Sequence, residues 1–354
     1  MPDSGLVKTR ASDSPISPLT ISGIRSVTRK TPITECLFVG GTFLLPYAVY
    51  SKKELLSKRL FVHAACATRF APQGSKYVDA ICPPDSRSEE DEILYGVGFG
   101  FEFLQKINPN YQSRGINNYE YRERSGKLGK LPKTDGDIFI HAKCHEYGKL
   151  FELTQAIINN LPNGSVIKFE DIYGWVYRNG RDLSGFIDGT ENPADPDERA
   201  EVVINTKTGG SYAVVQKWVH NMDMIRTTKD HTKEGWIGRT LKDSIELKNK
   251  PITSHVARMV GSADYDAPSK YKIVRQSQPY GTLSGDAGLL FIAYAADTKN
   301  FDFMLDRMTG DSEDRKNDDV MRFTKCVTGN YWYFPSVPEF DRLVGGGLWG
   351  FWRQ

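Results

Sequence analysis

Several patterns that would indicate a class of function are missing from this sequence. The five cysteines are an odd number and include no CxxC pair, which argues against a disulfide framework and a zinc site and favours a reducing compartment. Lysine and arginine total 46 against 44 acidic residues, so the net charge of +2 provides no basic excess for nucleic acid. We therefore expect a cytoplasmic protein with no nucleic-acid partner.

Long apolar runs are also missing. The apolar run at residues 36–50 is too short to span a bilayer comfortably and contains Pro46, so we expect no membrane segment. Residues 1–35 begin with a Ser-, Thr- and Pro-rich stretch that lacks the apolar block of a secretory signal, and we expect a disordered tail there. Because this stretch has few acids, a mitochondrial presequence is the alternative.

The familiar catalytic motifs of three reaction classes are absent. The sequence contains no glycine-rich phosphate loop, no HExxH and no GxSxG, and the GFGFE of residues 98–102 does not satisfy the dinucleotide fingerprint. Phosphoryl transfer, hydride transfer and acyl hydrolysis therefore have no support.

Two segments that are present resemble each other. Residues 135–157 and 286–308 each give an apolar strand, a polar turn and then a helix. Apolar residues fall at helical spacing in both, namely Leu150, Leu153, Ile157, Ile158 and Leu161 in the first and Phe301, Met304, Leu305 and Met308 in the second. The match predicts a duplicated strand–helix unit.

Further strands are expected around these units. β-branched or aromatic runs bounded by Gly, Pro or Asp lie at residues 93–100, 212–219, 255–260, 272–277 and 331–335. Strands outnumber helices without the regular alternation of a doubly wound sheet, so we predict an α+β fold with two related antiparallel sheets backed by helices. The turn-rich, charged segment 188–201 predicts a boundary near residue 200, between domains at 36–200 and 201–354.

The stretch GFIDGTENP, residues 185–193, places an aspartate between two glycines. A calcium loop starting at Asp188 would need glycine where Pro193 stands and glutamate where Arg199 stands, so that interpretation fails. Asp-Gly is a common turn pair, with Gly189 free to take a positive φ. The motif alone leaves a structural turn and a catalytic carboxylate open.

An arginine in a predicted strand is the next unusual feature. Arg275 and Ser277 are two residues apart in the strand at 272–277 and so face the same side, and His255 opens the strand predicted at 255–260. An inward arginine is costly unless it meets an anion. Arg275 therefore indicates either an ion pair with a structural acid or a functional anion site.

These motifs occur in an order that resembles a known family. GFIDGTENP with Asp188, SHVARM with His255, RQSQPYG with Arg275, GLLFIAYA and RFTKCVTGNYWYFPS follow one another. This order resembles the dye-decolourising peroxidases, haem proteins with two ferredoxin-like domains of the dimeric α+β barrel type. The resemblance covers about residues 93–345 and is closest to the compact, B-like branch. It implies that residues 201–354 form the haem-binding domain.

The resemblance also implies residue roles. His255 would be the proximal ligand of the iron of one haem b per chain. Asp188 and Arg275 would be the distal catalytic residues, where Asp188 moves a proton and Arg275 stabilises negative charge on the peroxide. Ser277 would line the same distal pocket.

Two supporting positions stay less defined. An acid is expected to accept a hydrogen bond from the proximal histidine, and Asp318 and Asp319 are both candidates, of which we favour Asp318. Arg239 would bind a haem propionate or would pair with a nearby acid.

The implied activity is reduction of hydrogen peroxide with oxidation of bulky organic reductants such as dyes or phenols. The alternative is a haem-binding or iron-handling protein with incidental peroxidase activity, and a third interpretation is an α+β barrel protein that binds another small molecule without haem. The sequence leaves a homo-oligomer open.

Overall fold

The architecture is that of a mixed helix and strand protein with antiparallel pairing. The computed structural model of the 354-residue chain describes the backbone of residues 41–45, and residues 78–83 and 93–340. The predicted tail at 1–35 lies outside these ranges. No helix within them is long and apolar enough to cross a membrane.

The described residues form strands and helices in the following positions. The strands are β1 (Gly41–Leu45), β2 (Leu94–Gly100), β3 (Arg124–Gly126), β4 (Gly129–Leu131), β5 (Ile138–Cys144), β6 (Ile172–Gly174), β7 (Ser211–His220), β8 (Val274–Arg275), β9 (Gln278–Gly281), β10 (Ala287–Ala295), β11 (Thr324–Cys326) and β12 (Asn330–Phe334). The α-helices are α1 (Phe101–Ile107), α2 (Tyr147–Asn160), α3 (Pro196–Val203), α4 (Met222–Thr227), α5 (Asp230–Ile237), α6 (His255–Val260) and α7 (Lys299–Thr309). Short 3-10 helices lie at Tyr111–Arg114 and Asp319–Arg322.

Within the described residues, ten strands join in one antiparallel sheet. Their order is β11, β7, β12, β2, β5, β1, β6, β9, β10 and β8, and β10 also pairs with β7. The sheet therefore closes on itself, because the pairings run from β7 through β12, β2, β5, β1, β6, β9 and β10 back to β7. β3 and β4 form a separate hairpin. The prediction of an α+β fold with antiparallel strands is confirmed.

The duplicated strand–helix unit is present in both predicted places. β5 is followed by α2, and β10 is followed by α7. The residues at helical spacing are buried because they face the sheet: Leu150, Leu153 and Ile157 in α2, and Phe301, Met304, Leu305 and Met308 in α7. Ile158 and Leu161 are only partly buried.

The prediction of a strand at residues 255–260 is wrong, because these residues form the helix α6. The amide of Arg258 donates to the carbonyl of Ser254, and the helix closes at Gly261, whose φ of +94° is left-handed. Six residues cannot distinguish a period of 2 from one of 3.6, and the valines suggested a strand. The correction matters because His255 is the first residue of this helix.

The strand predicted at residues 272–277 is shorter than expected, but its side-chain alternation holds. Only Val274–Arg275 is assigned to β8, and β9 starts at Gln278. Both strands pair with β10 in one register, Arg275 with Ala293 and Gln278 with Leu290. Arg275 and Ser277 therefore lie on one face, and Gln276 between them lies on the other.

The division into domains at 36–200 and 201–354 stays a prediction. The boundary near residue 200 falls within α3. Strands from both sides of it pair directly, since β12 pairs with β2 and β9 pairs with β6. The core is accordingly shared: the rings of Phe139, Trp332, Tyr294 and Phe334 pack together.

Candidate active site

Asp188 is carried by a tight, glycine-bounded turn. Gly185 and Gly189 both have positive φ, +95° and +77°, which glycine adopts without strain. The amide of Asp188 donates to the carbonyl of Gly180 at 3.0 Å, and the amide of Gly189 donates to Oδ1 of Asp188 at 2.7 Å. These contacts orient the carboxylate, whose side chain is 26% exposed.

Arg275 meets this carboxylate from the sheet. Its Nε lies 3.6 Å from Oδ1 of Asp188, and its side chain is 18% exposed. Apart from this ion pair, the guanidinium makes no hydrogen bond with the described residues. Ser277, on the same face, has a buried Oγ without a hydrogen-bond partner among the described residues. The structure thus brings these three predicted distal residues to one place.

Asn192 belongs to the same group, although sequence reasoning gave it no role. Its Nδ2 donates to the carbonyl of Arg275, and its Oδ1 accepts from the amide of Arg275, both at 2.9 Å. Asn192 stands at the end of the Asp188 motif, directly before Pro193. That position was the available signal, but asparagine before proline is common in turns.

His255 starts α6 and is paired with one acid. Its Nδ1 lies 2.7 Å from Oδ2 of Asp318, whose side chain is fully buried, while the imidazole is 27% exposed. Asp319 faces elsewhere and bonds Thr253 and Arg322. Of the two acids predicted as partners of His255, the structure places Asp318 in contact with it.

The Asp188 turn is tied to the loop that follows α5. Arg181 donates to the carbonyls of Leu241 and Lys242, each at 2.7 Å. Arg239 pairs with Glu191 of the Asp188 motif and lies 3.8 Å from Glu246. This loop therefore holds the turn through two arginines.

The same loop packs against the start of α6. A Cβ added at Gly238 would lie 2.9 Å from Oγ of Ser254 and 3.2 Å from Cβ of Val256. The close approach needs glycine there, and Gly238 also has a left-handed φ of +94°. A chain of contacts thus runs from the Asp188 turn to His255.

A second histidine–aspartate pair lies at the base of the Asp188 turn. Nε2 of His220 is 2.9 Å from Oδ1 of Asp182, and Nδ1 of His220 is 2.7 Å from Oγ1 of Thr324. Burial would raise the pKa of Asp182, but the charge of His220 and hydrogen bonds from His220 and Ser184 outweigh it and hold that pKa below its ordinary value. Sequence reasoning did not pair these residues, since they are 38 positions apart.

Three polar atoms near the site have no hydrogen-bond partner among the described residues, and they suit a bound group that needs both a metal ligand and polar contacts. Nε2 of His255 makes no hydrogen bond within the described part of the chain, because only Nδ1 is engaged. Oγ of Ser277 and Nε of Arg239 are buried with no described partner. Buried polar groups are normally satisfied, so these atoms are suited to contact a cofactor or its ligands.

Several known families and structures are similar to this chain. A family model described as Dyp-type peroxidase, C-terminal, matches residues 179–339. A dye-decolorizing peroxidase of Mycobacterium tuberculosis is 32% identical over 230 residues, which are 63% of this chain and 68% of the relative. A dye-decolorizing peroxidase of Brevibacterium linens is 27% identical over 72% of this chain and 70% of that protein.

Solved structures are similar over most of the chain. A dye-decolorizing protein from V. cholerae is 32% identical, with a TM-score of 0.69 over 86% of this chain and 96% of that one. A variant of Rhodococcus jostii DypB, solved in complex with heme, is 26% identical, with a TM-score of 0.70 over 85% of this chain and 95% of that one. The duplicated ferredoxin-like α+β fold expected from the resemblance is thereby confirmed. On these grounds the chain belongs to the family of dye-decolourising peroxidases and is a peroxidase.

Proposed function

We propose that the protein is a haem-dependent peroxidase that reduces hydrogen peroxide and oxidises bulky organic reductants such as dyes or phenols. His255 binds the iron, and Asp188 and Arg275 are the distal catalytic residues. The observation that carries this proposal is the pair of contacts His255–Asp318 and Asp188–Arg275, which lie on segments joined by one loop. Haem is the cofactor, as in the DypB structure solved with heme.

His255 is oriented so that its Nε2 can donate a lone pair to a metal. A carboxylate accepts hydrogen bonds, so Asp318 favours the proton on Nδ1 and leaves the lone pair on Nε2. Asp318 also accepts from the amide of Val320 at 2.9 Å, which fixes the carboxylate. When bound, the haem supplies the redox chemistry for peroxide reduction.

Asp188 is placed to carry a proton. Its Oδ1 is held by the amide of Gly189, whereas Oδ2 has no hydrogen bond with the described residues. Oδ2 can therefore take a proton from one peroxide oxygen and deliver it to the other, directly or through a water.

Arg275 supplies a permanent positive charge beside Asp188. Its terminal guanidinium nitrogens make no hydrogen bond in the described ranges, so they are available to the negative charge that develops on peroxide during cleavage of the O–O bond. Ser277 lines the same face, and its buried Oγ can bond a bound water or peroxide. Arg239 is the proposed contact of a haem propionate through its Nε, which has no hydrogen-bond partner among the described residues.

Substitution of the distal pair tests the proposal. We expect Asp188→Asn and Arg275→Leu to lower kcat/KM for hydrogen peroxide by roughly 10²- to 10⁴-fold, the range for loss of a proton carrier or an electrostatic stabiliser. Haem content, measured from Soret absorbance, should match wild type. Asp223→Asn is the control, because Asp223 pairs with Arg226 on an exposed face of α4. Wild-type peroxide kinetics in Asp188→Asn would refute the assigned role.

A further inference from the structure

The side chain of Asn192 links the two distal segments by bonding the backbone of Arg275. Its amide group donates to the carbonyl and accepts from the amide of Arg275, each at 2.9 Å, and so pairs with that backbone as a neighbouring strand would. No other described side chain bonds the backbone of Arg275. The segment that carries the guanidinium is thus fixed to the loop that carries the carboxylate.

The same residue closes the Asp188 turn. The amide of Asn192 donates to the carbonyl of Gly189 at 3.0 Å, and the amide of Gly189 in turn holds Oδ1 of Asp188. Pro193 follows and restricts Asn192 to an extended backbone, which lowers the entropy cost of presenting its side chain. Asn192 therefore bonds the backbone of Arg275 and that of Gly189, the residue next to Asp188, so it links the backbones that carry the guanidinium and the carboxylate.

Only asparagine satisfies both groups at this length. Aspartate would keep the acceptor for the Arg275 amide but could not donate to the Arg275 carbonyl, and it would add a second carboxylate next to Asp188. Glutamine would place the amide one methylene further out. The residue type is thus matched to a neutral contact that sets a distance.

We propose that Asn192 is a positioning residue that sets the separation and orientation of Asp188 and Arg275 for proton transfer. This inference rests on the proposed function. Displacement of a reacting group by about 1 Å can cost about 10²-fold in rate. Loss of Asn192 should therefore slow the reaction with hydrogen peroxide more than the reaction with the organic reductant, because proton transfer within peroxide depends on the relative placement of Asp188 and Arg275.

The experiment compares Asn192→Ala with wild type in the haem-loaded full chain. We expect kcat/KM for hydrogen peroxide to fall about 10- to 100-fold, with unchanged Soret absorbance and a smaller loss in kcat/KM for the organic reductant. In the Asp188→Asn background the same substitution should have little further effect, because residues that act as one unit are not additive. Equal losses in both backgrounds, or equal losses toward both substrates, would indicate general destabilisation and overturn the proposal.

A second measurement, independent of activity, is the hydrogen exchange of the Arg275 backbone amide. Hydrogen exchange of the peptide that contains the Arg275 amide should accelerate in Asn192→Ala, since its acceptor is removed. The matched control is Asn205→Ala: Asn205 likewise bonds two backbone groups, the carbonyl of Ala296 at 3.1 Å and the amide of Lys207 at 3.0 Å, away from the site. That control should leave both the exchange at Arg275 and the peroxide reaction unchanged.

A second variant covers the case in which Asn192→Ala does not fold. Asn192→Asp keeps the side-chain volume and one of the two bonds, and it should also slow the reaction with peroxide. Wild-type peroxide kinetics in either variant would overturn the positioning role. If Asp188→Asn is slow while the Asn192 variants are not, only this inference fails; if Asp188→Asn itself matches wild type, the proposed function of the distal pair fails.

Discussion

At the scale of single residues, His255 and Asp188 share one feature: a hydrogen bond holds one polar atom of the side chain and leaves the second polar atom without a bond to the described residues. Asp318 holds one nitrogen of His255 and leaves the other, and the Asp188 turn holds one carboxylate oxygen and leaves the other. The side chain is therefore oriented before the reaction, and no reorganisation is needed when the second atom takes part.

In the proposed function His255 binds the iron, so removal of the negative charge next to His255 should change the reduction potential of the haem. We expect Asp318→Asn to raise the reduction potential of the haem, because a carboxylate on Nδ1 makes the imidazole a stronger donor and stabilises the ferric state. Spectroelectrochemical titration measures this shift. Asp319→Asn is the matched control, since Asp319 bonds Thr253 and Arg322 instead. A shift in Asp319→Asn without one in Asp318→Asn would contradict the assignment.

The Asp182–His220 pair predicts a pH dependence of stability. The pKa of Asp182 is held below its ordinary value, so its stabilisation is fully present above the unfolded pKa of about 4 and is lost as the pH falls through the folded pKa. We expect Asp182→Asn to melt at a lower temperature than wild type at pH 7, and this difference to shrink below about pH 4. Thermal unfolding from pH 3 to 7 checks it. A difference that does not change with pH would exclude the linkage.

At the scale of elements, α6 is too short to be stable by itself, since isolated helices need roughly 12 residues or more. It is held by Arg258, a fully buried side chain three residues after His255. Nη1 and Nη2 of Arg258 bond both oxygens of Asp314, at 2.5 and 3.0 Å, and Nε bonds the carbonyl of Arg307. The position of His255, the proposed iron ligand, thus depends on the loop after α7.

Loss of this anchor should destabilise the protein strongly. We expect Arg258→Met to lower the free energy of unfolding by about 3 kcal/mol, the low end for breaking a buried ion pair, because Asp314 keeps some solvent exposure. Urea denaturation measures it. Arg226→Met, which breaks the exposed pair with Asp223, should have little effect. If the two variants were equally stable, Arg258 would not be the anchor of α6.

At the scale of the whole molecule, strands from both sides of residue 200 share one sheet and one set of packed rings. Phe334 of β12 contacts the rings of Phe139 in β5 and Tyr294 in β10. It also occupies the space above Gly98, where an added Cβ would lie 2.6 Å from the ring. The predicted domains are therefore joined through their cores.

This shared core predicts one cooperative unfolding transition. We expect Phe334→Ala to lower the free energy of unfolding by about 3–5 kcal/mol through lost burial and a residual cavity, and to shift the transition as one unit. Differential scanning calorimetry distinguishes the outcomes. Two separate transitions, of which only one moves, would instead support independent domains at 36–200 and 201–354.

The periodicity of the sequence was sufficient for elements that are long and repeated. β5–α2 and β10–α7 were predicted because their apolar residues keep helical spacing over two or three turns. It was insufficient for α6, where six residues fit two periods, and the helix is established by the hydrogen bonds that the amides of Arg258 and Gly261 donate. The candidate site was found from ordered motifs, although Asn192 was overlooked because its partner lies 83 residues away.

By itself, the sequence determined the class of fold and the family and indicated the candidate site residues, because local periodicity and motif order are properties of the chain. Only the tertiary structure decided which of Asp318 and Asp319 meets His255, that Asp188 and Arg275 face each other, and that Asn192 links them. These are contacts between distant segments, and they depend on strand register and turn geometry, which local sequence does not specify.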